Sequence, residues 1–207
     1  MPNSDLALRQ LIAAIAEGDS TEFSKMLSES PALATARFEI TNATRQTAEE
    51  NFVPEIGRYI YRGDTALHFA AAAHDPAMIR ELITRGAPVR ATNRLGEEPL
   101  HAAAVGNPGS QSWNPKAQSS AINALINAGA DPNAINKMGV APLHKAVRTR
   151  CADAVRTLLA CGANAALQNK SGSDAILLAR LNPGRGGSGS PQAKAQQLEI
   201  IQLLNHG

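Results

Sequence analysis

Three stretches of the 207-residue sequence decide the fold: GDTALH at 63–68, GEEPLH at 96–101 and GVAPLH at 139–144. Their glycines are separated by 33 and 43 residues, and a weaker copy, GSDAIL at 172–177, follows after another 33 residues. Repetition with a period of this length is typical of a solenoid, in which each unit packs against its neighbours. The chain is therefore predicted to be a single domain of stacked units.

Each unit has the pattern of two short helices. Thr65 can cap a first helix whose first turn accepts Ala66, and prolines stand at the same place in the sister units. A second helix follows, with apolar residues at i, i+3 and i+4, and Gly86 stands where its C-terminal cap is expected. These apolar stripes are Ile79, Leu82 and Ile83; Ile122, Leu125 and Ile126; and Val155, Leu158 and Leu159. The pattern predicts an all-α fold.

The period and the signature around the Leu-His pair resemble the ankyrin repeat. Three units match it well, at 63–95, 96–138 and 139–171, and a diverged C-terminal unit follows at 172–207. A further helix pair in residues 1–37 resembles an N-terminal cap. The resemblance implies an ankyrin-repeat solenoid of about five helix-pair units with short hairpin connectors and three insertions. It also implies protein binding rather than catalysis.

The histidines of the signature suggest an active site at first sight, because His68, His101 and His144 share one register. The resemblance instead implies that each of them hydrogen-bonds neighbouring backbone and joins one repeat to the next. The sequence lacks phosphate-binding loops, nucleophile elbows and metalloprotease motifs. We therefore predict no enzymatic activity, no metal and no cofactor. An enzyme that uses Cys151 with His144 is the alternative, although no orienting acid is evident.

The composition fits a stack of closely packed helices. Alanine occupies 38 positions, whereas only seven residues are aromatic, so small side chains must fill much of the interior. No apolar run of about 18 residues occurs, and the start of the chain has no basic region typical of a signal peptide. The two cysteines are too few for a disulfide framework. We expect a soluble, cytoplasmic and monomeric protein.

The first insertion, residues 38–62, holds four of the seven aromatic residues. A capping-box pattern at 47–50 predicts a short helix that Pro54 must interrupt or shift. Two interpretations stay open. The segment either folds back over the end of the stack or presents an aromatic patch, with Tyr59 and Tyr61, to a partner.

The second and third insertions, 107–118 and 182–196, each lie between the two helices of a unit and share a Lys-Ala-Gln motif. They are predicted to lie on one edge of the stack, with the turn of the intervening unit between them. The basic stripe predicted there comprises Lys116, Arg148, Arg150, Arg185 and Lys194, with Trp113 at its rim. Exposed Trp and Arg are enriched at binding hot spots. The alternative is that both loops are solvated tethers and that Trp113 packs locally.

A second basic surface is predicted on the opposite edge, where each connector carries Asn followed by a base. The resemblance places these residues at hairpin tips, which together with the first helices form the usual partner surface of the family. It nominates Arg94, Lys137 and Lys170, with Lys145 and Arg148 from the first helix of the third clear unit. The alternative is a solvated charged edge that keeps the stack soluble.

The charge distribution suggests what kind of partner binds. Residues 1–106 carry 10 basic and 14 acidic side chains, whereas residues 107–207 carry 10 basic and 4 acidic ones. We therefore expect a partner protein with an acidic or mixed surface, held by a rigid scaffold, and no membrane. The alternative is that nucleic acid or another anionic ligand binds along the basic C-terminal edge, although no known nucleic-acid-reading motif occurs.

Overall fold

The computed structural model describes residues 3–39, 49–181 and 191–206, and within these ranges it contains five helix pairs. The pairs are α1 (Asn3–Glu17) with α2 (Ser20–Glu29), α3 (Ala66–Ala72) with α4 (Pro76–Thr84), α5 (Pro99–Ala103) with α6 (Pro115–Asn127), α7 (Pro142–Arg148) with α8 (Ala152–Ala160), and α9 (Ala175–Leu181) with α10 (Pro191–His206). The odd-numbered inner helices contact one another in order, and so do the outer helices from α4 to α10. The predicted all-α solenoid is confirmed.

The core is continuous from unit to unit. Leu67, Leu100 and Leu143 are buried at one register of three successive inner helices. Burying each such side chain contributes roughly 1.5–3 kcal/mol. The buried alanines of the inner helices, including Ala70 and Ala102, allow the helices to pack closely. The alanine-rich, aromatic-poor composition is therefore explained by a thin core that extends along the stack.

Two of the signature histidines, His68 and His101, join successive units as predicted, whereas His144 bonds within its own unit, 139–171. The Nδ1 atom of His68 accepts a hydrogen bond from the backbone N–H of Thr65 at 3.1 Å, so Nε2 carries the proton and donates to the Glu97 carbonyl at 3.0 Å. His101 donates in the same way to Val140 of the next unit at 3.0 Å. His144 donates to the Leu167 carbonyl at 2.9 Å. The Nδ1 atom of each imidazole thus accepts a hydrogen bond from a backbone N–H just before an inner helix, a group that has no acceptor within that helix.

The connector tips stack directly on one another. We use "connector tips" for residues 94–95, 137–138 and 170–171. The backbone N–H of Lys137 donates to the Leu95 carbonyl and that of Lys170 donates to the Met138 carbonyl, each at 3.0 Å. Gly139 stands beside this contact with φ +70, and a Cβ atom there would lie 3.0 Å from the Lys170 nitrogen. The glycine of the signature is therefore required both for its left-handed backbone and for close approach of the next tip.

The first insertion contains a two-stranded antiparallel hairpin, formed by β1 (Phe52–Val53) and β2 (Arg58–Tyr59). We call residues 52–61 the hairpin segment. The predicted short helix is present in the described residues only as a three-residue 3₁₀ helix, Glu49–Asn51, which leads directly into β1. Residues 47 and 48 lie outside the described ranges. Pro54 opens the turn between the strands and Gly57, with φ +67, closes it.

The hairpin segment is anchored to the stack. Phe38, which precedes it, is fully buried and meets Phe69 of α3 edge-on, with 6.5 Å between the ring centroids. Arg9 of α1 donates to the Glu50 carbonyl at 3.0 Å, and Ile60 is buried. Within the described parts of the chain, no helix is long and apolar enough to cross a membrane.

Candidate partner-binding groove

A groove of about 910 Å³ opens along the inner helices of the first three units. The C-terminal ends of α1 and α3, with Ala102 of α5, form part of its lining. The hairpin segment contributes Pro54 to Tyr59 and Tyr61. The loop that joins α5 to α6 contributes seven of the residues from Val105 to Asn114, and we call residues 105–114 the Trp113 loop. Two of the three predicted insertions therefore line one cavity.

Four of the predicted site residues meet in this groove, namely Tyr59, Tyr61, Trp113 and Lys145. The two tyrosines and the tryptophan come from insertions separated by more than one complete unit in the sequence. Stacking of the units brings them to one surface. The first insertion packs on the stack through the buried Phe38 and Ile60, while Tyr59 is exposed, and its presentation to a partner stays a prediction.

The Trp113 loop is fixed rather than a solvated tether. Trp113 is partly buried, and its Nε1–H donates to Oε1 of Gln118 at 3.1 Å. Gln118 is buried and donates through Nε2 to the Ala103 carbonyl at the end of α5, at 3.0 Å. Asn114 caps α6 by accepting from the Ala117 N–H at 3.1 Å. Trp113 therefore packs locally and also lines the groove.

His74 is a groove residue that sequence reasoning missed. It follows α3 with φ +55, and its Nε2–H is shared by the carbonyls of Ala103 at 3.1 Å and Val105 at 2.9 Å. Both partners are acceptors, so Nε2 must carry the proton. Burial lowers the pKa of His74 and favours the neutral imidazole. The signal in the sequence was its position in the turn between two predicted helices.

Both basic side chains in the groove lining are already paired with carboxylates. Arg58 donates to Oδ1 of the buried Asp64 at 3.0 Å, and Lys145 lies 2.5 Å from Oε1 of Glu97. Burial lowers the pKa of Lys145, although Glu97 opposes this effect. Burial alone would raise the pKa of Glu97, but the ammonium of Lys145 holds it below its usual value. Lys145 was predicted as a partner-facing base, and the structure instead makes it half of an ion pair between two units.

The connector tips bring the other predicted basic residues into one row. Arg94, Lys137 and Lys170 are all exposed. The guanidinium of Arg94 lies 4.9 Å from the ring centroid of Tyr61, which connects the row to the rim of the groove. Two large apolar side chains are exposed near the same tips, Ile135 at 57% and Met138 at 60%.

The predicted basic stripe is only partly present at the surface. Lys116, Arg148 and Lys194 are exposed, and Arg185 lies outside the described residues. The expectation that Arg150 is exposed was wrong, because it is only 6% exposed. Arg150 follows Gly139 by the same 11 residues that separate His74 from Gly63, and it has φ +59. It therefore occupies the same left-handed turn position as His74.

The Cys151/His144 pair does not have the geometry of a nucleophile with its base. Cys151 is fully buried, and burial raises the pKa of its thiol, which disfavours the reactive thiolate. Both ring nitrogens of His144 are engaged, by the Ala141 N–H and the Leu167 carbonyl. Throughout the described ranges, no group of three or more His, Cys, Asp or Glu side chains could hold a metal ion.

Comparison with known families agrees with this architecture. The family model described as "Ankyrin repeat" matches residues 62–94, 95–137 and 138–170, which together make up more than half of the chain. No curated protein sequence matches the chain.

Proposed function

Because the chain belongs to the ankyrin-repeat family, whose members generally act as protein-interaction modules, we propose that it is a non-enzymatic scaffold that binds a partner protein in the groove. The observation that carries this proposal is the convergence of the hairpin segment and the Trp113 loop on one cavity. Tyrosine and tryptophan are the residue types enriched at binding hot spots. The cytoplasmic location and monomeric state predicted from the sequence stay predictions.

Rigidity of the groove supports the same function. The Trp113 loop is held by the Trp113–Gln118 and His74–Val105 hydrogen bonds. The hairpin segment is held by the Arg58–Asp64 ion pair, and Arg9 fixes the residues that lead into it, Glu50 and Asn51. Side chains that are fixed before contact lose little conformational entropy on association. A partner can therefore bind tightly without reorganising the scaffold.

The connector tips are a second candidate surface. Arg94, Lys137 and Lys170 form a basic row with exposed Ile135 and Met138 nearby. This combination suits the acidic or mixed partner protein that the sequence predicts, and also the alternative of nucleic acid or another anionic ligand.

Affinity capture from nuclease-treated lysate of the protein's own host tests the choice between the two surfaces. The bait proteins are the wild type, a groove variant carrying Tyr59→Ala and Ser112→Tyr, and a tip variant carrying Lys137→Glu and Lys170→Glu. All four substituted side chains are exposed, so each variant should fold. Thermal melting of each bait checks this point.

We expect a stoichiometric protein that the groove variant loses and the tip variant retains. Retention by the groove variant with loss by the tip variant would move the binding site to the tips. Loss of all co-purifying material on nuclease treatment would favour nucleic acid instead.

A further inference from the structure

The groove has excess acidic charge despite the net positive charge of the chain. Four of its lining residues are acidic, Glu17, Glu55, Asp75 and Glu97, and two are basic, Arg58 and Lys145. Both bases are largely buried within ion pairs, since their side chains are 12% and 21% exposed. The charge that is left unpaired within the lining is therefore negative.

Glu17 and Glu55 supply that open negative charge. Both are exposed, and within the described ranges neither carboxylate takes part in an ion pair. They come from different elements, the end of α1 and the turn of the hairpin segment, so the geometry of the groove brings them to one surface. Asp75 adds little to an approaching charge because its carboxylate already caps α4 by accepting from the N–H groups of Ala77 and Met78.

Aromatic faces accompany these carboxylates. Tyr59, 44% exposed, touches Phe52 with 4.8 Å between ring centroids, and Trp113 lines the groove from the other insertion. A cation near an aromatic face is attracted by the quadrupole of the ring. The chain already uses this contact at the rim, where the Arg94 guanidinium covers Tyr61.

An acidic occupant would be disfavoured in the same place. It would face Glu17 and Glu55, and it could reach Arg58 or Lys145 only by competing with Asp64 and Glu97. Separating an ion pair of this kind leaves a poorly solvated carboxylate behind, which is strongly unfavourable. A cationic side chain gains from both open carboxylates and leaves the existing pairs intact.

We propose that the groove binds an extended protein segment that carries lysine or arginine side chains, a conclusion that rests on the proposed function. The segment places its cationic groups near Glu17 and Glu55 and its aliphatic stems against Tyr59 and Trp113.

Selection from a random-sequence displayed peptide library against the full chain tests this inference. Recovered peptides are then measured against the wild type, against a groove-charge variant carrying Glu17→Lys and Glu55→Lys, and against the tip variant as the matched control. Both variants change two exposed side chains by two charges each. Emission from Trp113, the only tryptophan in the chain, reports whether binding occurs in the groove.

We expect peptides enriched in Lys and Arg that shift Trp113 emission. The groove-charge variant should bind them about tenfold more weakly, while the tip variant should bind them unchanged. Peptides that shift Trp113 emission but keep their affinity for the groove-charge variant would overturn the inference and leave the proposed function standing. Acidic peptides that depend on Lys137 and Lys170 would also overturn it. Failure to select any peptide would contradict the proposed function together with the inference.

Discussion

His101 shows how a single residue joins two units and makes the stack sensitive to pH. Its Nδ1 accepts from the Glu98 N–H at 3.1 Å while Nε2 donates to Val140, so the neutral form satisfies both partners. Burial lowers the pKa of His101 to about 4, with Glu97 opposing and Lys145 and His68 assisting the decrease. A second proton would have to sit on Nδ1, where it would displace the hydrogen bond from the Glu98 N–H. The ring is fully buried, so no solvent would stabilise the added charge.

Stability should consequently decrease in mildly acidic solution. Above about pH 6.5 neither the folded nor the unfolded chain protonates His101, so its stabilising contribution is complete. Between about pH 6.5 and the folded pKa of about 4, only the unfolded chain takes up the proton, and the free energy of unfolding falls. The loss from this residue alone is about 2 kcal/mol between about pH 7 and about pH 5.

Urea unfolding of the wild type and of His101→Gln at both pH values measures this contribution. The variant should be less stable at neutral pH by about 1–3 kcal/mol, because it leaves buried backbone groups without partners. Its free energy of unfolding should then change with pH by about 2 kcal/mol less than that of the wild type. Equal pH dependence in the two proteins would show that His101 is not protected from protonation.

At the scale of elements, Gly106 controls the position of the Trp113 loop. A Cβ atom on Gly106 would lie 2.7 Å from Sγ of Cys151 and 2.8 Å from Nε1 of Trp113. The Gly106→Ala variant should therefore break the Trp113–Gln118 hydrogen bond and displace the loop. We expect a red shift of Trp113 emission and a decrease of about 1–3 kcal/mol in the free energy of unfolding.

Gly109→Ala is the matched control in the same loop. A Cβ atom there would meet only Oδ1 of Asn107, at 3.5 Å, which is an ordinary contact. This variant should leave both the emission and the stability unchanged. Identical emission spectra for Gly106→Ala and the wild type would mean that the contacts around Gly106 do not hold Trp113 in position.

The repeated elements could be predicted from the sequence because their causes are local. The Gly and Leu-His signature, the helix caps and the apolar stripes all act within one unit. The hairpin segment was missed, although Pro54 and Gly57 enclose a turn of hairpin length. Its strands have only two residues each, and Arg58, Asp64 and Phe69 fix them through contacts that no short-range pattern encodes.

The candidate site was predicted only in part for the same reason. Tyr59, Tyr61 and Trp113 could be predicted as site residues because they are aromatic. That they line one cavity could not be predicted, because it depends on how the units stack. Exposure of the charged residues depended on neighbours from other units. Glu97 pairs with Lys145, and Arg150 is buried at its turn position, so neither base is available at the surface as the sequence suggested.

In the whole molecule, basic and acidic side chains are separated onto two surfaces, and this separation does not follow the division between the N-terminal and C-terminal halves of the sequence. The connector tips carry an exposed basic row, while the groove beside them presents Glu17 and Glu55. Opposite charges on adjacent surfaces give the two surfaces different preferences, basic groups in the groove and acidic groups at the tips. Such complementarity acts mainly on association rate and specificity.

Hydrogen–deuterium exchange of the chain, free and bound to the captured partner, reports which surface the partner covers. A partner bound in the groove should slow exchange in the Trp113 loop and in the hairpin segment. Exchange in α8, whose residues do not line the groove, should stay unchanged and serves as the internal control. Slower exchange confined to the connector tips, with the Trp113 loop and the hairpin segment unaffected, would contradict the account.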